Sequence, residues 1–287
     1  RDLYFGGGVP AGKQANPNTI RHFPFFANMI SLAGNAVNID APWVFEDSGI
    51  NKIDNTYFYS YCTNWSGGPY GDAKIAFMTS NNPLGPFTYQ ATCFDNPGIF
   101  FGTYGNNHHT IIKFKNQFYI FYHAEWLNKE TYGTTLGYRT THVDVMPFSN
   151  GRFGNAKGSL NGVTQLSNFN PYQLNHFNTM AWQGGVNIYG LGDTSAAYNR
   201  GDWSGVSNVD FGSGAKSITI NAGTVNGSTI RISVDSPTGP VAGYVTIPAT
   251  GDNWKSTEVT AQVSGLNGVK NIFFVASGDC VLNSYKF

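Results

Sequence analysis

The residues best suited to chemistry gather around one carboxyl. Glu46 stands in Ala41-Pro42-Trp43-Val44-Phe45-Glu46-Asp47-Ser48-Gly49-Ile50, between aromatic neighbours. Apolar surroundings disfavour the charged carboxylate and move its pKa toward neutrality, which a proton donor to a departing oxygen requires. A solvated turn carboxylate is the competing reading. Cleavage of a glycosidic bond takes two carboxyls, one to protonate the leaving oxygen and one to activate water or attack carbon. A second cluster, Gly105-Asn106-Asn107-His108-His109-Thr110, places two histidines side by side. On a strand, adjacent side chains leave on opposite faces, so both cannot reach one ion. Other catalytic patterns are missing: the chain has no Gly-x-Ser-x-Gly, no His-Glu-x-x-His and no Cys-x-x-Cys. Gly6-Gly7-Gly8 follows a strand, but no helix pattern comes after it, so it reads as a turn and not as a phosphate cradle.

The elements that must position these groups read as strands. Thr56-Tyr57-Phe58-Tyr59-Ser60-Tyr61-Cys62 is β-branched and aromatic, after the turn formers Asp54-Asn55. Thr110–Phe114 and Phe118–Tyr122 flank Lys115-Asn116-Gln117 as a hairpin, and Lys74–Met78 and Phe87–Gln90 flank a Pro/Gly turn. No segment sustains a 3.6-residue apolar period, so the class is all-β. Two similar units, about Asp40 to Asp95 and about Gly105 to Ser149, have the length of propeller blades. After about Asn150 the composition shifts. Short alternating strands at Ser217–Ile220, Thr229–Val234, Gly243–Ile247 and Ile272–Val275 read as a β-sandwich of jelly-roll type. The domains expected are a partial propeller over 1–165, a linker over 166–175 and a sandwich over 176–287.

Composition narrows the partners. The 287 residues carry no net charge, only 12% are charged, and 15% are aromatic. Neither a nucleic-acid surface nor a membrane surface is advertised, and no apolar run is long enough to span a bilayer. A neutral polymer such as a polysaccharide fits. Cys62, Cys93 and Cys280 do not make a disulfide framework; Cys62 and Cys93 either pair or remain buried thiols. Sequons at Asn64-Trp65-Ser66 and Asn226-Gly227-Ser228 are compatible with secretion. The chain opens at Arg1-Asp2-Leu3 without a start methionine, and a processed or partial product is expected.

The string Asp40 to Trp65 resembles the general-acid strand of glycoside hydrolase family 43 arabinofuranosidases and xylosidases. Tyr4–Pro10 with Ala15–Thr19 is similar to the second blade of the family's arabinoxylan-debranching members. Gly105–Thr110 is similar to its channel-histidine strand, and Gly137–Asp144 to its last blade. The resemblance implies a five-bladed propeller, present here in part, with Glu46 as general acid. It implies His108 in the channel near a water-bound cation and Arg139 reaching the sugar at the cleavage point, where a plain solvated Arg is the alternative. Trp43, Trp65, Tyr104 and Trp126 become stacking candidates. No cofactor is required, although calcium in the channel is allowed. The family's base and its tuning Asp correspond to positions upstream of Arg1, and Asp2 is no substitute. No complete active site is therefore expected from this chain alone: a separate N-terminal polypeptide supplies the missing blade, or the chain is an inactive fragment.

Gly201-Asp202-Trp203, Asn208–Ala215, Asp235–Gly239 and Gly251-Asp252-Asn253-Trp254 resemble a family 6 carbohydrate-binding module. Trp254 matches one aromatic wall of the sugar site. The other wall falls near Ala197, with Tyr198 next door as a substitute. Val281 stands where the family often carries an orienting Asn, and Asn178 where it has an acidic residue, so a sugar-binding module and a structural module packed on the propeller are both open readings. The expected activity is an inverting α-L-arabinofuranosidase on arabinoxylan, secreted and extracellular. β-Xylosidase and a non-catalytic polysaccharide-binding protein are the alternatives.

Overall fold

A computed structural model describes residues 2–65, 68–135, 137, 139–188 and 194–287. Arg1, Ser66 of the first sequon and Tyr138 of the last-blade string lie outside the described residues. The chain divides into two compact units, Arg1–Val163 and Thr164–Phe287.

The first unit is a series of small antiparallel sheets. β1 (Asp2–Gly6), β2 (Ile20–Pro24) and β3 (Val37–Ile39) form the first. β4 (Val44–Ile53), β5 (Thr56–Thr63), β6 (Ile75–Ser80) and β7 (Thr88–Phe94) form a complete four-stranded blade. β8 (His109–Phe114), β9 (Gln117–Ala124) and β10 (Thr140–Met146) form the third, and a ribbon of β11 (Phe148–Ser149) and β12 (Arg152–Phe153) follows. Two short helices, α1 (Pro97–Phe101) and α2 (Trp126–Tyr132), sit in the connections. The opening strands of the three sheets are neighbours, with β4 between β1 and β8. That is the inner wall of a propeller built in part.

Aromatic residues drive this packing. Phe58, Phe77, Phe118 and Phe153 meet in one core with Ile75, Ile111 and Ile120, and Tyr59, Tyr61, Ile20, Val44 and Met78 make another. Cys62 and Cys93 are buried as free thiols in the first of these cores, so the pairing alternative is not realised. β5 and β7, which carry them, are separated by β6. Burial pushes the Cys93 thiol up to about 12.

The second unit is a two-layer sandwich. One layer runs β13 (Asn175–His176), β22 (Cys280–Lys286), β17 (Ala215–Gly223) and β20 (Thr257–Leu266), with β15 (Ala196–Tyr198) also on β22. The other runs β19 (Val241–Ile247), β18 (Ser228–Val234), β21 (Val269–Ala276), β16 (Trp203–Asp210) and β14 (Trp182–Gly184). Alternate residues of both layers, among them Ile218, Ile220, Ile230, Ile232, Phe274 and Leu282, close on one core. The stretch expected to be a linker belongs to this unit. Phe169 bridges to Val209 and packs on the core, and Phe287 N–H donates to Pro171 C=O at 3.0 Å. Its backbone groups find partners on β16 and the C-terminus, which composition does not encode. Among the described residues no helix is long and apolar enough to cross a membrane.

Candidate active site

Glu46 lies on β4, and the strand is irregular there for a reason. The β4–β5 register runs Val44↔Thr63, Glu46↔Cys62, Gly49↔Ser60, with a shift on each side of Glu46. Bulges of this kind re-aim a side chain out of the regular alternation. Asp47 takes up the change with φ +71°. The β1 exit turn presses on the same place. Gly8 N–H donates to Phe45 C=O at 2.6 Å, and a Cβ on Gly7 (φ +140°) would stand 3.1 Å from Glu46 Cα. The glycine run is thus a close backbone approach to the candidate acid as well as a turn.

The two adjacent histidines separate as alternation requires. His108 Nε2 stands 2.8 Å from Glu46 Oε1, off the line of a hydrogen bond, with both side chains about one-third exposed, at 37% and 30%. His109 points the other way and is buried. Its Nδ1 lies 2.5 Å from Asp47 Oδ2, its backbone N–H donates to the same oxygen at 2.9 Å, and its Nε2 lies 2.7 Å from Ser60 Oγ. Burial by itself would raise the Asp47 carboxyl. The charge of His109, its ring hydrogen bond and its backbone N–H outweigh burial and hold Asp47 below the usual carboxylate range.

His123 on β9 completes the group, and nothing in the local sequence singled it out. Its ring lies 5.3 Å from that of His108, edge to face, and neither ring nitrogen has a hydrogen-bond partner. Together with Thr110, Phe121 and Thr141 it lines a cavity of about 220 Å³. Burial, then the positive charges of Arg139 and His108, push its pKa down to about 4. Arg139 is exposed and close enough for its charge to act on His123. A histidine with a folded pKa below its unfolded value of about 6.5 adds stability above that value and loses it as pH falls toward the folded pKa. The melting temperature of the chain should therefore drop between about pH 6.5 and 4, and drop less in His123→Gln. Parallel curves for the two proteins would assign the acid sensitivity to another group.

Three other carboxyls of this unit have structural partners. Asp2 Oδ1 lies 3.1 Å from buried His22 Nε2, so Asp2 closes the first sheet and does not enter the site. Asp95 pairs with Lys74 at 2.7 Å, and Asp144 accepts from Tyr122 and Ser159 at 2.8 and 2.6 Å. Among the described residues no three His, Cys, Asp or Glu side chains converge in a way that could hold a metal ion.

The aromatic candidates fall on different surroundings. Trp43 is half-buried in the left-handed region (φ +58°), held by Ala15 C=O and Asn64 N–H, with its ring over Gly68. Trp65 is half-buried and packs against the Phe58–Phe153 core. Tyr104 is exposed over Gly98, and Trp126 lies 6.4 Å from Phe101.

In the second unit Trp254 is 59% exposed, its backbone N–H donating to Asp252 Oδ1 at 2.9 Å. Tyr198 is 2% exposed and donates to Ser204 Oγ at 2.6 Å beside Phe177. It cannot be a sugar wall, because β15 alternation turns it into the core and leaves Ala197 facing out. Ala197 pairs with Val281, which pairs with Gly223, so this row is apolar and small. Past it, Arg200, Asn226, Asn253, Ser277 and Asp279 line a polar pocket of about 470 Å³. These residues come from four separate loops, and although Asn226 and Asn253 stand in strings noted above, no local pattern brings the five together.

Residues 178–287 match the family model described as "Carbohydrate binding module (family 6)". The chain is 40% identical over 297 positions to an arabinoxylan arabinofuranohydrolase of Paenibacillus polymyxa, covering 96% of this chain and 46% of that protein. It is 39% identical over 308 positions to the arabinoxylan arabinofuranohydrolase of Bacillus subtilis (strain 168), covering 99% and 59%. A crystal structure of a glycoside hydrolase family 43 arabinoxylan arabinofuranohydrolase from Bacillus subtilis, in complex with cellotetraose, superposes with a TM-score of 0.93 at 37% identity. That match covers 100% of this chain and 64% of the other. The chain spans about half the length of the curated relatives it matches.

Proposed function

The chain is related along nearly its whole length to the glycoside hydrolase family 43 arabinoxylan arabinofuranohydrolases and carries a family 6 carbohydrate-binding module, and on that premise we propose that it serves a secreted α-L-arabinofuranosidase that debranches arabinoxylan. The observation that carries the reading is the Glu46 carboxyl, re-aimed by a bulge onto the inner wall and facing His108 at 2.8 Å. Glu46 gives its proton to the glycosidic oxygen as the bond to the arabinose anomeric carbon breaks. A water attacks that carbon from the opposite face, and a second carboxyl takes the water's proton. Inversion needs the two carboxyls roughly 6.5–9.5 Å apart. Asp47 cannot be that second carboxyl, since His109 occupies it from behind the wall. The base is supplied from outside these residues, by further polypeptide of the same protein or by a separate one completing the propeller. His108 and Arg139 face the sugar, Trp43 borders it, and Trp254 offers the module's stacking face.

The test is hydrolysis of arabinoxylan followed by proton NMR of the first sugar released, alongside native mass of the active material. Arabinose appearing as the inverted anomer is expected. Initial retention would overturn the inverting assignment, and xylose in place of arabinose would move the activity to β-xylosidase. A co-purifying chain in the active material would identify a separate polypeptide as the source of the base.

A further inference from the structure

We propose that Asp47, His109 and Ser60 form a positioning relay that sets the Glu46 carboxyl at the channel wall; this rests on the reading of Glu46 as proton donor. Two acid–histidine pairs stand back to back on β4 and the start of β8. Glu46 faces His108 in the channel, and Asp47 holds His109 behind it. The outer pair is the anchor. Asp47 Oδ2 accepts from both the His109 backbone N–H (2.9 Å) and its ring at Nδ1 (2.5 Å), while Asp47 Oδ1 accepts from Ser48 N–H at 2.9 Å. A non-glycine residue at φ +71° persists only where its surroundings over-determine it, and these three bonds do so. With Nδ1 turned to Asp47, Nε2 of the same ring meets the Ser60 hydroxyl at 2.7 Å. Ser60 lies on β5 directly opposite Gly49, so the relay ties β4, β5 and β8 together next to Glu46. Gly49 keeps the space open, because a Cβ there would stand 2.5 Å from Ser60 Oγ and 3.4 Å from His109 Nε2. None of the three touches the channel group directly. Their effect reaches Glu46 through the backbone of the bulge.

The test compares Asp47→Ala, Asp47→Asn and Ser60→Ala with Glu46→Gln as reference, in the form of the protein that hydrolyses arabinoxylan. An alkoxide leaving group needs the proton, whereas 2,4-dinitrophenolate leaves without one. Asp47→Ala should lower kcat on arabinoxylan by about 10²-fold, within the usual reach of general acid catalysis, with KM little changed. Its kcat on the 2,4-dinitrophenyl arabinofuranoside should fall far less. Asp47→Asn, whose amide oxygen can accept the same two His109 bonds, should recover most of the loss. Ser60→Ala should fall in between. Equal losses on both substrates would reduce the relay to ordinary stabilisation and overturn the proposal.

A second readout needs no turnover. In the 287-residue chain, the ring-nitrogen NMR signals of His108 should shift in Asp47→Ala as they do in Glu46→Gln. A folded Asp47→Ala with wild-type His108 signals would also overturn the relay. If Glu46→Gln leaves arabinoxylan hydrolysis intact, the proton-donor reading fails instead, and the His108 signals still decide whether Asp47 positions Glu46.

Discussion

Glu46→Gln is expected to lower arabinoxylan hydrolysis by roughly 10²–10⁴-fold, the range general acid catalysis commonly supplies. Affinity for the polymer should stay within a small factor of wild type. The substitution keeps the shape of the side chain and one oxygen to face His108, so the bulge, the Gly7 approach and the β4–β8 contact have no reason to change. What disappears is the transferable proton. Activity should return in part on an aryl arabinofuranoside with an activated leaving group, which departs without protonation. The measurement is initial rate on both substrates together with polymer binding by affinity electrophoresis. Unchanged hydrolysis would place the donor elsewhere. Wild-type protein that binds arabinoxylan and releases no sugar from it, even with the rest of a propeller supplied, would establish a binding protein with Glu46 as a relic.

Tyr198→Ala should cost the second unit about 3–5 kcal/mol, the range for emptying a buried aromatic site. The ring meets Phe177 edge to face, and Phe177 in turn meets Phe274 and Tyr285, in a sandwich core where collapse onto the vacancy is limited by strands on both sides. Loss of the hydroxyl also leaves Ser204 Oγ, itself buried, without the bond at 2.6 Å. Trp254→Ala should change stability by less than about 1 kcal/mol, since its ring is largely in solvent, and should weaken xylan binding. Denaturant unfolding followed by fluorescence and binding isotherms on both variants separates these roles. A stable Tyr198→Ala that no longer binds xylan would restore Tyr198 as a sugar wall and contradict its burial.

These outcomes bear on how far local pattern reaches. Strands at Thr56–Cys62, Thr110–Phe114 with Phe118–Tyr122, and Thr229–Val234 were legible because alternation and turn residues are local signals. Their observed counterparts are β5, β8 with β9, and β18. The class of each unit followed from strand length and spacing, and Glu46 stood out by its neighbours and its family-like string. Alternation also separated His108 from His109, because consecutive side chains on a strand must diverge.

Only the tertiary structure decided which face of each strand is covered. Period-two alternation has two phases, and a strand such as β15 reveals its inner phase only when β22 is laid beside it. Tyr198 therefore read as a wall, and it turned inward. The same limit hid the relay. Asp47 and His109 are 62 residues apart, and Ser60 and His109 are 49 apart. Nothing local distinguishes such a pair until neighbouring sheets bring β4 and β8 together. His123 and the five polar side chains of the second-unit pocket belong to the same class of feature. The sequence by itself determined the strands, the unit types and the candidate acid, since these depend on short-range chemistry. Partners and inner faces were decided by sheet packing, because burial is a property of surfaces that meet.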